Sequence, residues 1–102
     1  IAREEIFGPV LSVFDFKDLD EAIMRGNSTD FGLSAGIWTK DLNEAHRFAK
    51  EINAGTVWIN DFNVFSAASP FGGTRQSGWG RELGKKSVEL YLQTKSIWIN
   101  LE

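Results

Sequence analysis

The sequence predicts an α/β fold built on a mostly parallel β-α-β-α-β arrangement, and three observations carry that prediction. Two segments of helical periodicity each open on an aspartate with a glutamate three residues later, Asp18 with Glu21 and Asp41 with Glu44. That spacing is the signature of a capped helix N-terminus. The two openings nearly repeat, Lys17-Asp18-Leu19-Asp20-Glu21-Ala22 against Lys40-Asp41-Leu42-Asn43-Glu44-Ala45. Two copies are too few for a solenoid and read as successive β-α units. Finally, Thr56-Val57-Trp58-Ile59-Asn60 is apolar and β-branched without alternation, as expected of a strand covered on both faces. Alternating strands and helices imply a parallel sheet with right-handed crossovers.

Taken in order, Glu4 to Pro9 is a loop ending in a Gly-Pro turn signal. Val10 to Phe16 reads as the first strand, with Leu11 and Val13 on one face and Phe14 and Phe16 on the other. The first helix follows Asp18, and its Leu19, Ala22, Ile23 and Gly26 share one face. Asn27 to Gly32 is polar and turn-like. Ser34 to Thr39 is the second strand. Leu42, Ala45, Phe48, Ala49 and Ile52 form the buried stripe of the second helix, which Asn53-Ala54-Gly55 stops. A third helix is expected from about Arg81 to Gln93, with Leu83, Val88, Leu90 and Tyr91 as apolar contacts. The alternating Ser96 to Leu101 reads as a final strand with two different faces.

Between Asp61 and Gly80 there is no periodicity, yet the stretch holds Gly72, Gly73, Gly78 and Gly80 together with Phe62, Phe65 and Phe71. Long loops of this kind commonly line a functional site, and the glycines permit positive φ and close backbone approach. Phe62, Phe65, Phe71 and Trp79 either wall an apolar pocket or pack beneath the loop. A phosphate cradle is a poor fit, because no Gly-Lys-Ser/Thr follows and the glycine spacing misses the dinucleotide pattern.

Composition narrows the function further. The 102 residues are 42% hydrophobic with a net charge of −3, and no Lys/Arg cluster marks a nucleic-acid or membrane-surface partner. There is no cysteine, hence no disulfide, thiol nucleophile or thiolate metal ligand. His46 is the only imidazole; lacking a second histidine it builds no zinc site of the usual kind and reads as a helix-surface residue. No apolar run approaches a transmembrane or signal-peptide length, which favours a cytoplasmic protein. The chain opens Ile1-Ala2-Arg3, and its one methionine is Met24, so a fragment or excised domain is expected. From the residues alone, Glu5 is solvated, Phe7 is core, and Glu82 is a first-turn carboxylate favoured by a helix dipole.

Four motifs change that reading. Glu5-Ile6-Phe7-Gly8-Pro9-Val10, Gly55-Thr56-Val57-Trp58-Ile59-Asn60, Pro70-Phe71-Gly72-Gly73 and Ser77-Gly78-Trp79-Gly80-Arg81-Glu82-Leu83-Gly84 occur in this order. Together they resemble the C-terminal fifth of the NAD(P)-dependent aldehyde dehydrogenases, over essentially the whole chain. The resemblance implies that Glu5 hydrogen-bonds the ribose hydroxyls beside the nicotinamide, as a carboxylate accepting two donors can, and that Phe7 packs against that end of the cofactor. It implies that Phe65 and Phe71 line the aldehyde tunnel, and that Glu82 relays protons from the general base. Residues 1–94 would belong to the catalytic, thiol-bearing domain and residues 95–102 to an oligomerisation strand, in a homodimer or homotetramer. The strand of Trp58 pairs near the subunit interface in that family.

The family's chemistry is nucleophilic: a cysteine thiolate attacks the aldehyde, hydride passes to NAD or NADP, and a glutamate-activated water hydrolyses the thioester. The cysteine, that glutamate and the Rossmann domain would lie upstream of Ile1, so the 102 residues alone are expected to be inactive. Thr74-Arg75 stands where many relatives carry lysine or tyrosine, and Asp61 to Ala68 identifies no particular aldehyde. The alternative from another class is a non-enzymatic interaction domain that keeps the fold.

Overall fold

The computed structural model describes all residues, Ile1–Glu102. Its elements are α1 (Leu19–Gly26), β1 (Phe31–Gly32), β2 (Ser34–Ile37), α2 (Leu42–Glu51), β3 (Thr56–Ile59), β4 (Thr74–Arg75) and α3 (Gly84–Glu89). The α/β class stands, centred on one β-α-β unit. β2 and β3 pair in parallel, Ser34 opposite Thr56 through Ile37 opposite Ile59, and α2 is the crossover between them. Asn60, in a left-handed conformation (φ 55°), closes the end of this pair. Its side-chain oxygen accepts from the Thr39 amide at 2.8 Å and its amide group donates to the Thr39 carbonyl at 2.9 Å.

Both helices begin where the capping pattern places them. In α1 the Asp18 carboxylate accepts from the Glu21 amide at 2.9 Å, and Glu21 reaches back to accept from the Lys17 amide at 3.0 Å. In α2 the Asp41 carboxylate accepts from both Asn43 and Glu44 amides, at 2.8 and 3.1 Å. These bonds satisfy donors that a helix start otherwise leaves orphaned. The two helices are tied at their C-terminal ends by Asn27, which donates to the Glu51 carbonyl and accepts from the Asn53 amide. Arg47 adds an ion pair to Asp20 across the helices and another to Glu51 along α2. The core lies where these layers meet: Ile23 of α1, Ala45 and Phe48 of α2 and Trp58 of β3 are its buried hydrophobics.

Several sequence expectations are corrected. Val10 to Phe16 and Ser96 to Leu101 form no strand, and residues 1–16 are exposed throughout. A strand exists only through a ladder partner, and neither segment has one. The third helix shrinks to Gly84–Glu89. Leu42 does not join the buried stripe of α2 but is 70% exposed, because it is the first helical residue and lies beyond the sheet; Ile59 is likewise exposed at the end of β3. Beside the parallel pair, β1 and β4 pair antiparallel, Phe31 with Arg75 and Gly32 with Thr74, a ladder the sequence expectations do not include. That pairing puts a strand inside the stretch read as a structureless loop. His46 is exposed on α2, as expected.

The chain is open in shape. Its radius of gyration is 18.7 Å, where a compact domain of this length would have about 13 Å. Its accessible surface is 8759 Å², against roughly 5,800 Å² for a folded monomer of this mass. The excess is apolar in part: Phe7, Leu11, Tyr91, Trp98 and Leu101 are each more than four-fifths exposed. No helix is long and apolar enough to cross a membrane.

Candidate functional site

The loop after β3 is organised by aromatic rings. Phe62 and Phe65 both pack edgewise on Trp58, with centroids at 4.9 and 5.7 Å, and Phe65 packs edgewise on Phe71 at 5.0 Å. Trp38, beyond the end of β2, continues the row toward Phe62 at 6.5 Å. Edge-to-face contact suits the ring quadrupoles and fixes orientation as well as distance. Trp58 is the anchor. It is 8% exposed, whereas Phe62 and Phe65 are half-exposed and show free ring surface to the solvent. Its indole N–H donates to the Val64 carbonyl at 2.9 Å, tying strand to loop.

Phe71 is held from the other side by Glu82. The two backbones exchange a pair of N–H···O bonds, both at 2.7 Å, as an isolated antiparallel bridge. The chain then turns sharply through Leu83 (φ 58°, ψ 173°) and Gly84 (φ 61°), and the Gly84 amide donates to the Ala67 carbonyl at 2.9 Å. A non-glycine residue in Leu83's conformation stores strain of about 1–3 kcal/mol, which the surrounding bonds must hold. This turn also explains the short α3, since residues 81 and 82 are committed to the bridge and cannot begin a helix. Arg81 fastens the glycine stretch by donating to the Gly73 and Gly80 carbonyls at 2.6 and 2.9 Å.

The glycines therefore serve close approach more than unusual dihedrals. Of Gly72, Gly73, Gly78 and Gly80, only Gly78 has a positive φ. A Cβ on Gly72 would meet the Gly80 carbonyl and Arg81, and one on Gly55 would collide with the Gly72 carbonyl. The loop is thus stitched to the start of β3 through backbone contact that admits no side chain.

Phe65, Phe71 and Glu82 are brought together, the first two by ring contact and the third by the backbone bridge, with the Glu82 side chain exposed. Glu5 and Phe7 are not brought to them. Glu5 borders a separate cavity of about 540 Å³ with Ala22, Gly26, Gly32 and Phe48 among its walls. Phe7 is 92% exposed, so the residue-based expectation of a core position is overturned. It also carries a positive φ of 49°. Trp79 stands outside the ring row, at 90% exposure. The roles of Val64 and Arg81 leave no mark in the residue pattern, because each acts through a backbone carbonyl that only folding brings near. Trp58 was legible only as a strand residue. No cluster of three His, Cys, Asp or Glu side chains is arranged to hold a metal ion.

A parallel β-α-β unit followed by an aromatic-lined, glycine-pinned loop is a segment of an α/β fold, and comparison with known proteins places it. Residues 1–97 match the Aldehyde dehydrogenase family, and the chain belongs to that family. It is 53% identical over 102 residues to DhaS of Bacillus subtilis, an aldehyde dehydrogenase by name. It is 51% identical over 102 residues to betaine aldehyde dehydrogenase 2 of Rhizobium meliloti. In both cases all of this chain is covered, and it spans about a fifth (21%) of the length of the relative. Among solved structures, the NAD+ complex of an aldehyde dehydrogenase from Bacillus cereus superposes with a TM-score of 0.89 at 49% identity. That match covers 98% of this chain and 20% of the other. Betaine aldehyde dehydrogenase of Staphylococcus aureus in complex with NAD+ gives 0.86 at 47% identity, over 91% and 18% of the two chains.

Proposed function

We propose that these 102 residues are the C-terminal section of an NAD(P)-dependent aldehyde dehydrogenase and supply one wall of its active site. The parent reaction is oxidation of an aldehyde to a carboxylic acid through a cysteine thioester, the cysteine lying outside this chain. The observation that carries the reading is the ring row Trp58–Phe65–Phe71, ending at the backbone bridge to Glu82. It combines the half-exposed ring of Phe65 and the partly buried ring of Phe71 with one carboxylate, as small-molecule sites do.

Phe65 and Phe71 line the aldehyde's path, excluding water and orienting the carbonyl toward the nucleophile. Glu82, fixed in place by Phe71, accepts or passes a proton at its carboxyl group. Glu5 and Phe7 face the cofactor. The residues fit one end of a dinucleotide: a carboxylate offers only acceptors and so suits a ribose diol, and two residues away Phe7 presents an open ring face. Phe7's positive φ is a strain consistent with a ligand-facing role. No phosphate-binding turn accompanies them, so the diphosphate is held by residues beyond this chain. When bound, NAD(P)+ supplies the hydride acceptor. Residues 95–102 join an oligomerisation sheet in a homodimeric or homotetrameric parent of the cytoplasm, where the alternating Ile97, Ile99 and Leu101 are covered.

The test is aldehyde-dependent NADH or NADPH formation. The full-length protein is expected to show it and the purified 102-residue chain is not. Turnover by the short chain alone, or none by the full-length protein across an aldehyde panel with both cofactors, would sink the proposal.

A further inference from the structure

We infer that Trp58 is a positioning residue that sets the geometry of the aldehyde-facing loop, and through it the selectivity among aldehydes; this rests on the function proposed above. Trp58 combines three contacts that no other residue of the loop region has. Its ring is the shared neighbour of Phe62 and Phe65, packed edgewise on each. Its indole N–H reaches six residues along the chain to the Val64 carbonyl, in a partly buried bond. It is buried on β3, whose register with β2 is fixed residue by residue.

The consequence is directional. Asp61 to Ser69 contains no helix or strand of its own, so its conformation depends on what it is tied to. At one end Asn60 locks onto Thr39; at the other, Gly84 locks onto Ala67. Between those fixed points the bond to Val64 lies one residue before Phe65, and Phe65 in turn sets the ring of Phe71. A shift of Trp58 therefore reaches the two rings proposed to face the aldehyde without touching the residues proposed to face the cofactor. Phenylalanine at position 58 would keep an aromatic ring but lose the donor, leaving the Val64 carbonyl unpaired.

The experiment uses the full-length enzyme with Trp58→Phe, and with Trp58 replaced by benzothienylalanine, which keeps the indole shape but has no N–H. Phe65→Ala is run beside them, with short and long aliphatic aldehydes and saturating cofactor. For both Trp58 replacements the expected result is kcat/KM lowered about tenfold for long aldehydes, carried by KM, the order one lost hydrogen bond supports. The effect is smaller for short aldehydes, and the KM for NAD(P)+ is unchanged. A purely structural role for Trp58 would lower kcat/KM for all aldehydes and raise the cofactor KM together, and that result would overturn the inference. If Phe65→Ala changes aldehyde selectivity while both Trp58 replacements leave it intact, the inference fails and the proposed function stands. If Phe65→Ala is also silent, the aldehyde wall itself is refuted, and the role of Trp58 with it.

Discussion

The middle of this chain and its two ends behave as different materials. From Asp18 to Arg81 the backbone is pinned by reciprocal, specific contacts: two capped helices, a four-residue parallel pairing and a loop stitched to β3. Residues 1–16 and 92–102 carry apolar side chains of similar quality, yet they form no strand and bury none of them. Hydrophobic composition is therefore not what separates the two regions. The middle closes its own hydrogen bonds and finds its own apolar neighbours, whereas the ends would need surfaces this chain does not contain. A strand is a relation between segments, and a helix cap is a relation within one.

The largest expected effect breaks the middle at its tightest point. Gly55→Ala places a methyl against the Gly72 carbonyl, where backbone must move on both sides. Unfolding of the full-length protein by denaturant should show a loss of about 3–5 kcal/mol; a loss under about 1 kcal/mol would mean the two segments are not so closely joined. Next is Phe48→Ala in the 102-residue chain, which empties a buried site between α2 and the sheet and is expected to cost about 3 kcal/mol. The matched change at the C-terminal end, Trp98→Ala, made in the 102-residue chain, removes a ring that is 94% exposed. It should leave stability within about 0.5 kcal/mol. Equal losses at positions 48 and 98 would erase the contrast between middle and end.

Smaller effects sharpen the same comparison. Asp41→Ala removes an acceptor for two amides and should destabilise by about 1 kcal/mol, whereas Asp18→Ala, which caps one amide, should cost less. Thermal unfolding of the two variants side by side checks the order. Glu21 gives a pH signature. The Lys17 backbone N–H, and then Arg25, whose guanidinium lies 2.5 Å away, hold its carboxyl below the ordinary glutamate range. A depressed folded-state pKa means the contribution is fully present above the unfolded value and is lost as pH falls through the folded one. Stability should therefore decline below the ordinary carboxylate range, by less in Glu21→Gln. Identical acid profiles for the two proteins would remove Glu21 from the account.

What the sequence made legible follows the same division. Asp18 and Asp41 announced both helices because a cap lies within four residues of what it caps. The parallel β2-α2-β3 unit followed from two apolar strands flanking a helix. The bridge between Phe71 and Glu82 and the antiparallel pairing of Phe31 with Arg75 were hidden, because their partners are 11 and 44 residues apart and share no periodic signal. Val10 to Phe16 misled for the opposite reason: its pattern is that of a strand, but pattern cannot supply a partner. At the site, Phe65, Phe71 and Glu82 were singled out by family resemblance, and the fold brings these three together. Trp58, which anchors the ring of Phe65 and through it that of Phe71, looked like any other residue of a buried strand.

The most direct test of the central claim, that this chain presents an aldehyde-facing wall and a separate cofactor-facing carboxylate, is a crossed kinetic measurement in the full-length enzyme. Phe71→Ala should raise the KM for aldehyde about tenfold with the KM for NAD(P)+ unchanged, and Glu5→Gln should do the reverse. If both variants shift the same constant, or Phe71→Ala leaves the aldehyde KM where it was, the division of roles described here is wrong.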